Sequence, residues 1–340
     1  MAGRFDPLTR TAIRGGRTAV PPDPRPGADA GPGKGTQAHP AKTRTWTPPG
    51  PVDLGLTLGP LRRGPADPTF RTTPGAVWRA TRTPAGPATL RVANQGSGEV
   101  GADAWGPGAD WILDRLPELL GAADDPAAFV PRHRLLHASH RRRPGLRLTR
   151  TGLVLESLIP VVLEQKVTAD EAYRAWRRLV RQYGEPAPGP DQGLYVMPDA
   201  RTWAMVPSWD WHKAGVDSKR SATIVRAARV AARLEEAAAM DLPAATARLE
   251  LIPGIGPWTS AETLQRSNGA ADAVTTGDLH LPGIVGFALA GDRDADDAAM
   301  LELLAPYAGQ RHRAARLILL AGAAPPRRTP RMPRGDIGRL

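Results

Sequence analysis

The chain contains no cysteine, and this absence excludes disulfides, cysteine-ligated zinc and cysteine-held iron–sulfur clusters. It also lacks any run of 18 apolar residues, so we expect no membrane-spanning helix. The N-terminal residues do not include the apolar segment of a secretory signal. We therefore expect a cytoplasmic protein that does not associate with a membrane.

Acidic residues are too few to balance the basic ones, 34 against 45, and the formal net charge is +11. An excess of this size favours a polyanionic partner, and nucleic acid is the first candidate. Lysine supplies only five of the basic residues. A GC-rich coding sequence favours arginine over lysine in this way without any functional demand. Charge alone therefore leaves DNA binding and simple compositional bias as equal interpretations.

Four segments differ in composition. Residues 1–50 hold nine prolines and few large apolar side chains, too little apolar surface to offset chain entropy, which predicts a disordered basic arm. The composition of residues 325–340 predicts a second disordered basic segment, the C-terminal tail. Residues 51–125 alternate short apolar runs with glycine and proline, which is typical of a small strand-rich α/β domain. Residues 126–324 repeat apolar positions at three-to-four spacing, which predicts a helical domain.

The stretch LIPGIGPWTS at residues 251–260 joins two short helical segments, and Asp241 is the predicted N-cap of the first. Glycine at 254 and 256 permits positive φ and leaves no side chain in the way, and Pro257 begins the second helix. Exposed first-turn amides at the positive end of a helix make an anion site, which a DNA phosphate fits. The dinucleotide fingerprint and the Walker A loop are excluded, because Thr259 stands where a third glycine is needed and no Gly-Lys-Ser/Thr occurs. An ordinary glycine-capped turn is the remaining alternative.

The motif IPGIGPWTSAETL resembles the helix–hairpin–helix of the base-excision DNA glycosylases, a superfamily with a Gly/Pro-rich hairpin followed by an aspartate. Residues 150–322 resemble that superfamily in order, from LEQKVTADEAYRAW through GVDSKRSATIVRAA and AVTTGDLHLPGIV to PYAGQRHRAARLILLAG. The resemblance is strongest to DNA-3-methyladenine glycosylase II. It implies a mainly α fold, the helix–hairpin–helix glycosylase fold of packed helices, with a small N-terminal mixed α/β domain.

Asp278 lies 22 residues after Gly256, where the resemblance places the catalytic aspartate. A carboxylate there stabilises the positive charge that grows on a sugar losing its base, and it orients or deprotonates the attacking water. The alternative interpretation is an N-cap, since Asp278 follows a glycine and Pro282 lies in the first turn of an apolar helix. A cap position also holds the side chain still, so the two interpretations are compatible.

Trp258 occupies the hairpin position at which lyase-type glycosylases place a Schiff-base lysine. Tryptophan has no amine, so we expect base removal without strand cleavage. Its ring either stacks on an electron-poor base or packs the hairpin. We expect Glu262 to line the base pocket beside Trp258, with a plain surface role as the alternative.

The segment around Gln165 and Lys166 resembles the loop that faces the gap left by a flipped base. A lysine stands where relatives often carry an apolar wedge, so the gap-filling role stays open. The expected DNA contacts are Gly254, Gly256, Trp258, Thr259, Gln165 and Lys166.

These observations predict a monofunctional DNA glycosylase that excises damaged bases, chiefly alkylated ones, from duplex DNA. The alternatives are a non-catalytic helix–hairpin–helix DNA-binding protein and a glycosylase for deaminated or oxidised bases. No organic cofactor and no side-chain metal site are expected, and the resemblance leaves open a monovalent cation at the hairpin carbonyls. We expect a monomer associated with the nucleoid.

Overall fold

A five-stranded antiparallel sheet forms the N-terminal part of the computed structural model, which describes residues 41–96, 98–190 and 193–326. The strands lie in the order β1-β5-β4-β3-β2. Their bounds are β1 Lys42–Trp46, β2 Phe70–Thr73, β3 Ala76–Thr83, β4 Gly86–Asn94 and β5 Val100–Trp105. Three short helices accompany the sheet: α1 Leu54–Leu58, α2 Ala109–Asp114 and α3 Leu116–Leu119.

The sheet begins earlier than predicted. Strand β1 lies inside the segment expected to be a disordered arm, and all five of its residues pair with β5. The prediction was wrong for residues 42–46, because alternating threonines and a terminal tryptophan suit an edge strand that a partner can complete. The predicted arm up to residue 40 and the predicted tail from residue 327 lie outside the described residues.

Helices dominate the rest of the described chain, as the three-to-four spacing predicts. Their bounds are α4 Arg134–Arg141, α5 Val154–Leu163, α6 Ala169–Tyr183, α7 Ala200–Met205, α8 Ser208–Lys213, α9 Ser218–Arg229, α10 Ala231–Glu235, α11 Leu242–Glu250, α12 Pro257–Ser267, α13 Leu281–Ala290, α14 Asp297–Leu304 and α15 Arg311–Ala321. A minimal ribbon, β6 Glu185–Pro186 with β7 Tyr195–Val196, interrupts them. The expected fold class, mainly helical with a small α/β part, is confirmed.

Caps explain several helix starts. The Asp241 carboxylate accepts a hydrogen bond from the Ala244 amide at 2.9 Å, which confirms the predicted N-cap of α11. Thr168 and Glu171 form a reciprocal capping box at the start of α6. Helix α12 begins at Pro257, a residue with no amide hydrogen to leave unpaired.

Two helical cores meet beside the hairpin. One core gathers apolar side chains of α5, α6, α9, α11 and α12, and the other gathers those of α4, α13, α14 and α15. Helix α5 is buried along nearly its whole length, so it serves as the scaffold against which α12 packs. Helix α12 therefore begins at the corner and packs against α5 and α11.

Candidate functional site

The corner between α11 and α12 depends on one glycine. Gly254 has a φ of +100°, and a Cβ at this position would lie 2.0 Å from the Thr223 Oγ1 atom. Both the backbone conformation and the close approach to α9 therefore require glycine. Ile255, only 5% exposed, anchors the corner in the apolar core.

Gly256 differs from the expectation of positive φ. Its φ is −120° and its ψ −174°, an extended conformation that any residue adopts, and it precedes α12 as the N-cap residue. A Cβ there would meet no atom of the described residues within 4 Å. The space beside Gly256 is open, so the fold itself does not require glycine at this position.

The side chain of Gln165 braces the corner. Its Nε2 atom donates to the Gly254 carbonyl at 3.0 Å and to the Thr259 Oγ1 atom at 2.8 Å. The side-chain nitrogen of Gln165 is thus committed within the protein, and Thr259 is 2% exposed with its hydroxyl accepting from Gln165. The next residue, Lys166, is exposed and has a φ of +54°, which is uncommon for a non-glycine residue.

Asp278 lies at the start of α13 and faces the start of α12. Its Oδ1 atom accepts hydrogen bonds from the His280 and Leu281 amides, both at 2.8 Å, so the predicted capping interaction is present. Its Oδ2 atom accepts one from the Trp258 indole Nε1 at 3.0 Å. The carboxylate is half-buried and held by three donors, one from α12 and two from the start of α13.

Glu262 lies one turn after Trp258 on α12, and its carboxylate is already paired. It forms a salt bridge of 2.7 Å with Arg266, and it accepts a hydrogen bond from the Thr275 hydroxyl at 3.0 Å. Thr275 belongs to the loop that leads to Asp278, so Glu262 links α12 to that loop. Its side chain is 19% exposed.

Three cationic or titratable side chains near Glu262 were missed by the sequence reasoning: Arg266, His312 and Arg316. Burial lowers the pKa of His312 well below its usual value, and Arg316, Arg266 and Arg313 lower it further. Burial, reinforced by Arg266 and Arg313, lowers the pKa of Arg316 to about 10. Burial opposes protonation of Arg266, but Glu262 and Glu164 outweigh it and raise its pKa.

Spacing is the signal that would have found these residues. Trp258, Glu262 and Arg266 recur every four positions on α12, and His312 and Arg316 are four apart on α15. Such spacing aligns side chains on one helix face. Only the packing of the helices decides which residues lie opposite that face.

A metal site of side chains is not found among residues 41–96, 98–190 and 193–326: no group of three or more His, Asp or Glu side chains there is placed to hold an ion. No helix in the same ranges is long and apolar enough to cross a membrane.

Sequence comparison gives one kind of relative. No protein family model matches the chain. The probable bifunctional transcriptional activator/DNA repair enzyme AlkA of Mycobacterium tuberculosis is 31% identical over 173 residues. The match covers 49% of this chain and 32% of the relative, so the chain spans about a third of that protein's length.

Structural comparison gives the fold. The 3-methyladenine DNA-glycosylase from Archaeoglobus fulgidus superposes with a TM-score of 0.66 at 18% identity, covering 82% of this chain and 97% of that one. The 8-oxoguanine glycosylase/lyase of Clostridium acetobutylicum, solved with double-stranded DNA containing cytosine opposite 8-oxoG, gives 0.62 at 12% identity, covering 79% and 91%. With the hairpin, the aspartate loop and the closing helix in the predicted order, these likenesses confirm the expected helix–hairpin–helix glycosylase fold.

Proposed function

We propose that this chain is a DNA glycosylase that binds duplex DNA, takes a damaged nucleotide out of the stack and hydrolyses its N-glycosidic bond. One observation carries the proposal. The Asp278 carboxylate is held by the Trp258 indole and two helix amides, directly beside the glycine corner of α12. An acid held still next to a backbone anion site is the arrangement that this reaction needs.

DNA binding rests on the corner. The first-turn amides of α12 have no intrahelical acceptor, and the helix dipole adds positive potential at the same end. Gly256 leaves open space in front of these amides. A phosphate of the backbone can therefore approach closely, without preference for sequence.

Catalysis rests on charge. As the bond between C1′ and the base nitrogen lengthens, positive charge develops on the sugar, and the Asp278 carboxylate stabilises it. The bonding electron pair leaves with the base. A water molecule adds its oxygen to C1′, and its proton passes to Asp278 and then to solvent.

Substitution of Asp278 by asparagine tests the proposal. Asparagine keeps an oxygen that caps α13, but it loses the charge, so base release under single-turnover conditions falls by about 10²-fold or more. Binding to a duplex with an abasic-site analogue stays within about threefold. Base release is measured by chromatography and binding by fluorescence anisotropy.

Equal base release by the wild type and Asp278→Asn would remove Asp278 from the chemistry. Binding by both proteins with no base release from any lesion would favour the alternative, a non-catalytic DNA-binding protein. Ser218→Ala is the matched control, since Ser218 lies at the start of α9 and not on α12 or α13.

We further propose that base removal leaves the strand intact. The side chain at the hairpin position is the Trp258 indole, which cannot form an imine with the opened sugar. The name of the Clostridium acetobutylicum relative includes lyase activity, so the point needs a direct test. Borohydride added during the reaction should trap no covalent complex.

A matched variant sharpens the trapping experiment. Lys166 is exposed in the loop that braces the corner, so its amine is the first candidate nucleophile to test. A trapped complex that disappears in Lys166→Ala would identify this amine as the nucleophile and overturn the monofunctional assignment.

The substrate class has two candidates. Alkylated bases follow from the sequence and agree with the names of the Mycobacterium tuberculosis and Archaeoglobus fulgidus relatives. Deaminated or oxidised bases are favoured by the arginines beside Glu262. We also propose that the protein acts as a monomer in base excision repair at the nucleoid.

A monovalent cation at the hairpin stays part of the proposal, with a restriction from the geometry. The Gly254 carbonyl already accepts from Gln165, and the Ile252 carbonyl accepts from the Ile255 amide at 2.9 Å. Each oxygen keeps one lone pair, so the corner fits a weakly held oxygen-ligated ion. The ion would tie the corner to a phosphate.

A further inference from the structure

Two stripes of polar side chains lie along α12 and α15. The α12 stripe contains Trp258, Glu262 and Arg266, and the α15 stripe contains His312 and Arg316. Arg266 and Arg316 both act on the His312 imidazole, so the two stripes lie close together, and we call the region between them the Arg–His cleft. It is partly exposed, since Glu262, Arg266, His312 and Arg316 are neither fully buried nor fully exposed.

The same short segment closes the Arg–His cleft at both stripes. Arg266 Nε donates to the Pro60 carbonyl at 3.0 Å, and Arg316 Nη2 donates to the Leu56 carbonyl at 2.7 Å. The Thr275 hydroxyl connects Glu262 to the loop of Asp278. Helix α12 and this loop, which carry Glu262 and its partner, therefore also carry Trp258 and Asp278.

The charges of the Arg–His cleft do not cancel. Arg266 is paired with Glu262, whereas Arg316 forms no salt bridge with a carboxylate of residues 41–96, 98–190 or 193–326. In the same ranges, no group hydrogen-bonds the imidazole of His312. Burial and then the arginines beside this imidazole lower its pKa, which favours the neutral ring with one donor and one acceptor.

We propose that the Arg–His cleft receives the flipped base and selects a neutral base that presents carbonyl oxygens and ring nitrogens to Arg316 and His312, rather than a cationic alkylated purine. Oxidised and deaminated bases belong to this chemical class. The inference rests on the function proposed above, and it names the substrate class and the residues that read it.

Electrostatics supports this choice twice. A base with a formal positive charge would lie beside Arg316, and the carboxylate that acts on this arginine, Asp124, already forms a salt bridge with Arg313. Arginine donates strong hydrogen bonds to the acceptor edge of a neutral base instead. A neutral base also leaves with the bonding electron pair and gains negative charge, which Arg316 stabilises in the transition state. A cationic base leaves as a neutral molecule and gains nothing from the arginine.

The experiment compares lesions under single-turnover conditions with the full chain. Separate duplexes carry 8-oxoguanine, hypoxanthine or uracil, and dimethyl-sulfate-treated duplex supplies cationic methylated purines; undamaged duplex is the blank. At least one neutral lesion should be released about tenfold faster than the methylated purines. Arg316→Leu should slow that release about 10- to 100-fold, the worth of a charged hydrogen bond.

Matched variants distinguish a loss of base recognition from a loss of folding. Arg316→Lys keeps the charge and should retain part of the activity, and His312→Gln should slow only the neutral lesions. Arg181→Leu removes an exposed arginine near the far end of α6, about 20 Å along the helix from its start, and should change no rate. Thermal unfolding of each variant identifies any that does not fold.

Two results would overturn the inference and leave the glycosylase proposal standing. One is release of methylated purines with no release of any neutral lesion. The other is an equal loss on all lesions in well-folded Arg316→Leu and His312→Gln. No release of any base would defeat the glycosylase proposal, and the inference with it.

Discussion

The hairpin corner at residues 251–259 and the Arg–His cleft are neighbouring parts of one site that are built from different materials. The corner offers backbone amides and carbonyls, and its one hydroxyl side chain, that of Thr259, is buried. The cleft offers side chains from α12 and α15, held by carbonyls of residues 56 and 60. The backbone groups of the corner suit a DNA phosphate, which is the same in every DNA sequence. The side chains of the cleft can distinguish one base from another.

The comparison predicts separable defects. Changes in the corner should weaken binding to every duplex equally, because the phosphate backbone is common to all of them. Changes in the cleft should alter which base is released and leave duplex binding nearly unchanged. A cleft variant that lost binding to every duplex would break this division.

The largest effect is expected for Gly254→Ala. The new Cβ meets Thr223 Oγ1 at 2.0 Å with a φ of +100°, so we expect the free energy of unfolding to fall by about 2–4 kcal/mol through overpacking and backbone strain. Urea denaturation measures it. In Gly254→Ala/Thr223→Ala the Oγ1 and Cγ2 contacts are removed, while the Cβ contact at 3.1 Å and the backbone strain remain, so about half of the loss should be recovered.

A smaller and more selective effect is expected for Gly256→Ala. Its Cβ meets no described atom within 4 Å and its φ is ordinary, so stability should change by less than about 0.5 kcal/mol. The methyl group would stand where a phosphate approaches, and binding to an abasic-site duplex should weaken about tenfold at fixed salt. Unchanged binding in anisotropy titrations would show that the phosphate does not lie there.

The smallest effect concerns the cleft and pH. The folded pKa of His312 is lower than its unfolded value, so below about pH 6.5 the unfolded chain binds a proton that the folded protein does not, and stability falls as pH falls. Arg266, Arg313 and Arg316 face this imidazole and stay charged throughout the window. Between pH 7.5 and 5.5 the wild type should lose about 1 kcal/mol more than His312→Gln, after allowance for partial exposure.

Thermal or urea unfolding at the two pH values measures that difference. Equal losses in both proteins would mean that His312 titrates normally and lies farther from the arginines. The cleft would then be less cationic than its geometry indicates.

Local signals in the chain predicted much of the corner. Residues within four positions are enough to predict the roles of Asp241, Pro257 and the glycine at 254, because caps and tight turns depend on local hydrogen bonds and φ. The apolar spacing likewise predicted the helices. The same local reasoning gave Gly256 a positive φ that it does not adopt and assigned residues 42–46 to a disordered arm.

Long-range partners were beyond such signals. Gln165 was expected to face DNA, yet its side-chain nitrogen binds the corner across 89 and 94 positions in sequence. Glu262 was expected to line the base pocket, and the structure adds that Arg266 and Thr275 already bind its carboxylate. Nothing in the spacing of α12 shows that α15 lies opposite.

The sequence by itself determined the order of the elements, the glycine corner and the aspartate that follows it, since these depend on local backbone chemistry and spacing. Only the tertiary structure decided that Trp258 donates to Asp278 and that Arg266, His312 and Arg316 share one cleft. The position of a charged residue in the sequence does not show which group it pairs with. Burial and packing choose that partner, because they set which charges are brought out of water together.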